Sequence, residues 1–248
     1  MTRFFVSPAQ IERGLATLDA EDAHHLRVVL KAQPGASVSV LDGSGQEWPG
    51  VLIELGKARA LVQLRAPLLP ATEPRTQITV TQALPKVSDK MEQVLQHGTE
   101  VGASAFWAFQ SARSLTHLEG ERHAKRLLRW GAIVKTAAEQ SHRAVLPAVR
   151  ADGTLADVLG AAPRYDLALL AHPEASSSLH AALSASRPAS ILLLIGPESG
   201  FAPEELADAR RAGVQWVTLG PRVLRTETAA LVLLSQLMYA LEGDAPCL

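Results

Sequence analysis

Two short loops carry the residues whose types and spacing could do chemistry. The first is Gly196-Pro197-Glu198-Ser199-Gly200, and the second is Gly220-Pro221-Arg222-Val223-Leu224-Arg225-Thr226-Glu227. Each follows a short apolar run, Ser190 to Ile195 in one case and Val214 to Leu219 in the other. Glycine lets a ligand approach the backbone closely, and a strand, a loop and a helix start in that order is where open α/β sheets hold ligands. Glu198 offers a carboxylate, while Arg222 and Arg225 offer two permanent positive charges. One Gly-Pro turn alone reads more readily as an ordinary strand-to-helix connection; the repetition of the device is what draws attention.

Absent motifs narrow the chemistry. The chain has no Gly-x-x-x-x-Gly-Lys-Ser/Thr loop, no Gly-x-Gly-x-x-Gly fingerprint and no Gly-x-Ser-x-Gly elbow, so kinase, hydride-transfer and serine-hydrolase readings fall. Its eight histidines form no His-Glu-x-x-His pair, and the adjacent His24 and His25 would point apart on a helix, so no metal is expected. What remains is a loop site suited to a ligand held by backbone groups and apolar walls.

The run Leu219 to Ala229 and the loop at Gly196 to Gly200 resemble the cofactor site of the SPOUT methyltransferases, specifically the family that methylates N3 of a uridine in 16S ribosomal RNA. The first loop departs from the family pattern only at Ser199, where the family has glycine. The resemblance extends over nearly the whole chain. It includes His25-Leu26, Val29-Leu30-Lys31 to Gly35, Ala83-Leu84-Pro85-Lys86, Gln96 to Gly102, Ala112-Arg113-Ser114, Arg129-Trp130, and Ala137 to Ser141 with Arg143. Lysine stands at 31 where the family usually has arginine, and His97 replaces its lysine.

The elements that must position these loops follow from periodicity. Residues 1–68 read as a small β-rich unit: Ser37 to Leu41 alternates at period two, Asp42-Gly43-Ser44-Gly45 is a hairpin turn, and Val51 to Leu55 and Ala60 to Leu64 supply further strands. A helix over Asp22 to Lys31 would place Leu26, Val29 and Leu30 on one face. Three prolines between Ala66 and Pro74 mark a linker, set at 69–76. From 77 to 248, strands at Ile78 to Ala83, Ala105 to Phe109, Leu167 to Ala171 and Ser190 to Ile195 alternate with helices, which predicts a mostly parallel sheet covered on both sides. Ser88 is expected to cap the first of these helices. By resemblance, the first domain is a PUA-like β-barrel, and the second an α/β SPOUT domain whose C-terminal part forms a deep trefoil knot.

At 248 residues and 47% hydrophobic content the chain has ample material for real cores. A formal charge of −1 argues against coating nucleic acid indiscriminately. Charge is nonetheless concentrated: Arg113 to Arg150 holds eight Lys/Arg against three Glu, a local +5, with Arg122, Lys125, Arg126 and Arg129 at helical spacing. The single Cys247 leaves no disulfide framework. No apolar stretch approaches the roughly 20 residues of a membrane span, and no signal-peptide core follows Met1, so a cytoplasmic location and no membrane association are expected.

The resemblance implies an S-adenosylmethionine-dependent methyltransferase acting on N3 of a uridine in 16S rRNA or the small ribosomal subunit, as a homodimer. It implies cofactor contacts at Ala171, His172, Gly196, Pro197, Glu198, Gly200, Leu219, Gly220, Leu224, Arg225, Thr226 and Ala229, and RNA contacts at His25, Lys31, Lys86, Arg113, Arg126, Arg129 and Arg143. Uracil N3 is protonated at neutral pH, so a catalyst must favour its anion; Arg222 and Arg225 are assigned to that task. Glu198 would orient an arginine or take the proton, and Gln140 would hold the base edge. In the last helix, Leu231, Leu234, Met238 and Leu241 form an apolar stripe that a dimer could bury. A ribose 2′-O-methyltransferase on the same scaffold and a non-catalytic RNA-binding protein are the alternatives.

Overall fold

The computed structural model describes residues 2–116, 120–184 and 187–243. Cys247 lies outside them, as does the side chain of Arg122. The chain divides into two compact units, Met1–Glu73 with Ala138–Leu146, and Pro74–Ala137 with Pro147–Leu248.

The first unit contains β1 (Thr2–Phe5), β2 (Ile11–Glu12), β3 (Leu15–Leu18), α1 (Ala20–His24), β4 (Ser37–Leu41), β5 (Glu47–Leu55) and β6 (Ala60–Leu64). They form one sheet in the order β1-β4-β5-β6-β3-β2, antiparallel except for the parallel β1–β4 pair. The sheet curls as a half-barrel with β1 and β2 at its ends, and a register shift between Leu52 and Glu54 bends β5. Alternation in β4 and β6 sends Val38, Val40, Ala60 and Val62 into a core with Phe4, Leu18, Leu26 and Leu52. The expected hairpin turn forms, with Gly43 and Gly45 at φ 82° and 93° and the Asp42 carboxylate accepting from the Ser44 amide.

The helix expected over Asp22 to Lys31 is broken into two kinds. Asp19 caps α1 by accepting from the Glu21 and Asp22 amides, and His25–Val29 then widens into a π-helical turn in which the Leu30 amide donates to the His25 carbonyl. Widening shifts the angular phase. Leu26 is buried, but Val29 and Leu30 are exposed rather than sharing its face.

The second unit contains β7 (Gln77–Ala83), α2 (Ser88–Val101), β8 (Ala105–Gln110), α3 (Gly120–Gln140), β9 (Ala148–Thr154), α4 (Leu155–Ala161), β10 (Leu167–Ala171), α5 (Leu179–Leu183), β11 (Ser190–Ile195), α6 (Pro203–Arg211), β12 (Gln215–Val217) and α7 (Thr226–Glu242). The final residues of α3 count with the first unit. All six strands are parallel, in the order β12-β10-β11-β7-β8-β9. β11 is buried on both faces, as its unbroken apolar run predicts: Ile191, Leu193 and Ile195 enter a core with α2, α3 and α7, and Leu192 and Leu194 one with α4 and α6.

Sequence reasoning missed β9 and α4. In β9 only Ala151 is buried, so this edge strand carries no apolar run to betray it. Ser88 is the first residue of α2 and not its cap; Val87 occupies that position without a side-chain bond. The buried face of α7 is Ala230, Leu233, Leu234, Leu237 and Leu241, packed toward α2, while Leu231 and Met238 of the expected stripe are half-buried. No helix among the described residues is long and apolar enough to cross a membrane.

Within the first unit, Glu73 holds the segment that follows α3. Its carboxylate takes the Arg143 guanidinium at 2.6 Å and the amides of Ala144 and Val145 at 2.7 and 3.1 Å. The Arg143 side chain is 5% exposed, so the pair is largely desolvated. Removing the acid takes a close carboxylate from a buried guanidinium and the acceptor from two amides, which costs about 3 kcal/mol. Glu73→Ala is therefore expected to lower the urea midpoint of the first unit's unfolding, whereas Glu12→Ala, at an exposed pair with Arg13, leaves it unchanged.

Candidate active site

Since β12, β10 and β11 are parallel neighbours, their carboxyl ends open at one edge of the sheet, and the three loops that leave them surround one cavity of about 600 Å³. All twelve residues assigned to the cofactor line it, and so do Arg222 and Glu198. Gln140 is not among the lining residues and belongs to the first unit. The lining also includes Lys90, Pro173, Glu174, Ile195, Ser199, Phe201 and Val223. Sequence reasoning missed these; Ser199 and Val223 sat inside the loops already singled out, whereas Lys90 comes from α2 and carried no local signal.

The loop after β11 is tied at several points. The Thr226 hydroxyl donates to the Gly196 carbonyl at 2.5 Å, and the buried Gln82 amide donates to that carbonyl and to Thr226 Oγ1. One hydroxyl thus joins the first loop to the start of α7. Phe201 closes the loop from below, stacked on Phe109 at 6.4 Å between centroids; a Cβ on Gly196 would meet its ring at 3.2 Å.

Gly200 carries the left-handed backbone at φ 68°, and Ser199 has no positive φ. Serine in the family's glycine position therefore strains nothing. Its hydroxyl instead donates to the Arg113 carbonyl at 3.3 Å, while the Arg113 guanidinium donates to the Ser199 carbonyl at 3.0 Å.

Glu198 is paired with lysine and not with an arginine. Its carboxylate lies 3.0 Å from Lys90 Nζ and accepts from the Lys86 amide at 3.2 Å. Partial burial pushes its pKa up, but its own backbone amide, the Lys90 ammonium and the Lys86 amide together outweigh that and hold it below the ordinary carboxylate value. A carboxyl held ionised in this way is a poor proton acceptor. Arg222 and Arg225 are exposed, and among the described residues neither makes an ion pair, so both guanidinia are available to a ligand. On the third wall, His172 Nδ1 accepts from the Glu174 amide, which leaves Nε2 to carry the proton of the neutral ring. The ring packs on Trp216 at 4.9 Å, and the Arg210 guanidinium lies 4.0 Å from the same indole.

The residues assigned to RNA are dispersed. His25 and Lys31 are exposed in the first unit, with Lys31 at φ 51°. In the second unit Lys86, Arg113 and Arg129 are exposed and Arg126 lies 6.0 Å from the Trp130 ring; Arg129 pairs with Glu92 at 2.7 Å. Arg143 does not fit the assignment: buried against Glu73, it presents no free face to a phosphate. Among the described residues no group of three or more His, Cys, Asp or Glu is placed to hold a metal.

The chain matches a family model for an RNA methyltransferase domain over residues 72–238 and one for an RNA methyltransferase PUA domain over residues 18–65. It is 38% identical over 239 residues to the ribosomal RNA small subunit methyltransferase E of Mycobacterium bovis, covering 93% of this chain and 88% of that one. It is 32% identical to the Bacillus subtilis protein of the same name, covering 98% of each. Its structure is similar to that of the ribosomal RNA small subunit methyltransferase E of Neisseria gonorrhoeae bound to S-adenosylmethionine, with a TM-score of 0.86, 32% identity, and coverage of 97% of this chain and 98% of that one.

Gly220 has φ 102° with open space where a side chain would project. Gly220→Val would strain the backbone and fill that space, and is expected to abolish S-adenosylmethionine binding measured by calorimetric titration. A carboxyl whose folded pKa is lowered contributes stability at neutral pH that is lost as the pH falls through that pKa. The stability gap between the native protein and Glu198→Gln should thus be present above about pH 4.3, the unfolded value, and close below it in urea titrations run across pH 3 to 7.

Proposed function

Since this chain belongs to the ribosomal RNA small subunit methyltransferase E family, whose members are S-adenosylmethionine-dependent rRNA methyltransferases, we propose that it methylates N3 of one uridine in 16S rRNA of the small ribosomal subunit. The observation that carries this reading is the cavity in which three strand ends bring two arginines, without an ion-pair partner among the described residues, beside glycine loops. The wall suits the cofactor. Ile195, Phe201, Leu219 and Leu224 supply apolar surface for an adenine, and Gly200 and Gly220 open the backbone to close approach.

The bound cofactor supplies an electrophilic methyl group; the chain's residues do the rest. The target base must be unpaired or turned out of its stack, because N3 lies in the ring plane and carries the pairing proton. Arg222 and Arg225 stabilise the negative charge that spreads to the flanking carbonyl oxygens as N3 loses that proton to solvent water. Glu198, held as a carboxylate by its own backbone amide, Lys90 and the Lys86 amide, holds the first loop in place. RNA is bound by His25 and Lys31 of the barrel-like domain, residues 1–68, and by Lys86, Arg113, Arg126 and Arg129 of the catalytic domain, residues 77–248, joined by the linker at 69–76.

The carboxyl-terminal part of the catalytic domain is assigned a deep trefoil knot, a reading supported by the sheet order, in which β11 enters late between β7 and β10. The protein acts in the cytoplasm as a homodimer; exposed Tyr239 and half-buried Leu231 and Val232 on α7 leave apolar surface for a second copy.

Mass analysis of nucleosides from 16S rRNA treated with the enzyme is expected to give 3-methyluridine. A 2′-O-methylated nucleoside instead would overturn the assignment. Arg222→Ala and Arg225→Ala should each slow single-turnover methylation at saturating cofactor about a hundredfold, equivalent to roughly 3 kcal/mol, with cofactor affinity kept in Arg222→Ala, and raising the pH should restore part of that rate. Arg126→Glu with Arg129→Glu should weaken RNA binding and flatten its dependence on salt, leaving cofactor binding alone.

A further inference from the structure

Lys90 lies in the first turn of α2, more than a hundred residues before the cofactor loops, yet it lines the cavity. Its ammonium stands 3.0 Å from Glu198 Oε1 and 3.8 Å from Glu227 Oε2. Glu227 sits in the first turn of α7 and is buried, and its Oε2 has no hydrogen-bond partner among the described residues. A buried carboxylate oxygen in that position needs a compensating charge, and Lys90, with three donors to share, supplies it. Three elements therefore meet at one ammonium: the start of α2, the loop after β11 and the start of α7.

We propose that Lys90 is a positioning residue for methyl transfer, bridging Glu198 and Glu227 so that the two cofactor loops keep the spacing the ligand requires. The inference rests on the reading of this cavity as the S-adenosylmethionine site. Among the other ties on the first loop, Thr226 and Arg113 hold backbone carbonyls, at Gly196 and Ser199, and the Lys86 amide shares the Glu198 carboxylate without reaching α7. Lys90 holds the side chain between them and links it to the helix that carries the second loop onward. A tie of this kind is the same before and during methyl transfer. Its loss weakens ground state and transition state alike, and so appears in cofactor affinity and not in the saturated rate.

The test titrates S-adenosylmethionine into the native protein, Lys90→Met, Lys90→Arg and Glu227→Gln by calorimetry, and measures single-turnover methylation at saturating cofactor. Lys90→Met, which keeps the stem and removes the charge, is expected to raise Kd about tenfold, the scale of one partly exposed charge-assisted bond, with little change in saturated rate. Lys90→Arg should restore most of the affinity, because a guanidinium can span two carboxylates. Glu227→Gln should weaken binding as well, and the double variant Lys90→Met with Glu227→Gln should bind no worse than Lys90→Met alone. Native affinity in Lys90→Met, with or without a lower melting temperature, overturns the proposal, as does a slowed saturated rate at unchanged Kd. Should Lys90→Met not fold, failure of both Lys90→Arg to bind well and Glu227→Gln to bind less well overturns it. A native protein that binds no S-adenosylmethionine defeats the reading of the cavity itself, separately from Lys90.

Discussion

A strand buried on both faces and paired on both edges has nowhere to turn except at its ends. β11 is such a strand, held in register with β10 on one side and β7 on the other, with every residue from Ile191 to Ile195 buried. Parallel pairing puts its carboxyl end beside those of β10 and β12, and the chain must leave all three at the same edge. The Gly-Pro devices stand at two of those exits. Had any of these strands been antiparallel to the others, its loop would have emerged at the far edge and the cavity would not exist.

The cavity's charges fall into two groups with different work. Lys90, Glu198 and Glu227 neutralise one another in part and fix the wall. Arg222 and Arg225 have no ion-pair partner among the described residues, so their field is left for a ligand on which negative charge develops. This separation explains why Glu198, the acid nearest in sequence to the first loop's centre, is better suited to holding geometry than to removing a proton. A carboxylate whose charge is already satisfied gains little from accepting one.

Buried charge plays a purely architectural part in the first unit. Arg143 looked, by residue type and neighbourhood, like one more member of a basic stretch. Desolvated against Glu73, it instead organises the turn after α3, where His142 takes φ 62° and the following amides point to the same carboxylate. Lys31 and His25 remain exposed at a π-helical turn where Val28, Val29 and Leu30 are also exposed while Leu26 is buried.

Local pattern was enough for whatever depends on local pattern. The apolar run of β11, the alternation of β4, the turn at Asp42 to Gly45 and the glycine-rich exits could be read directly, because periodicity and backbone freedom are properties of neighbouring residues. The twelve residues that the family resemblance named for the cofactor all line one cavity, because most of them stand in or beside the loops that leave three neighbouring parallel strands. Edge strand β9 and the break in the helix at His25 were illegible, since one buries almost nothing and the other depends on a shift in hydrogen bonding that no residue type dictates. Tertiary structure alone decided which charges are free. Glu198 meets Lys90, Arg143 meets Glu73, and Ser199 avoids the conformation that would have strained it, because each outcome depends on a partner 70 or more residues away or on a backbone angle one residue along. Charge pairing in a folded chain is a matter of distance and desolvation, and neither quantity is written in the order of the residues.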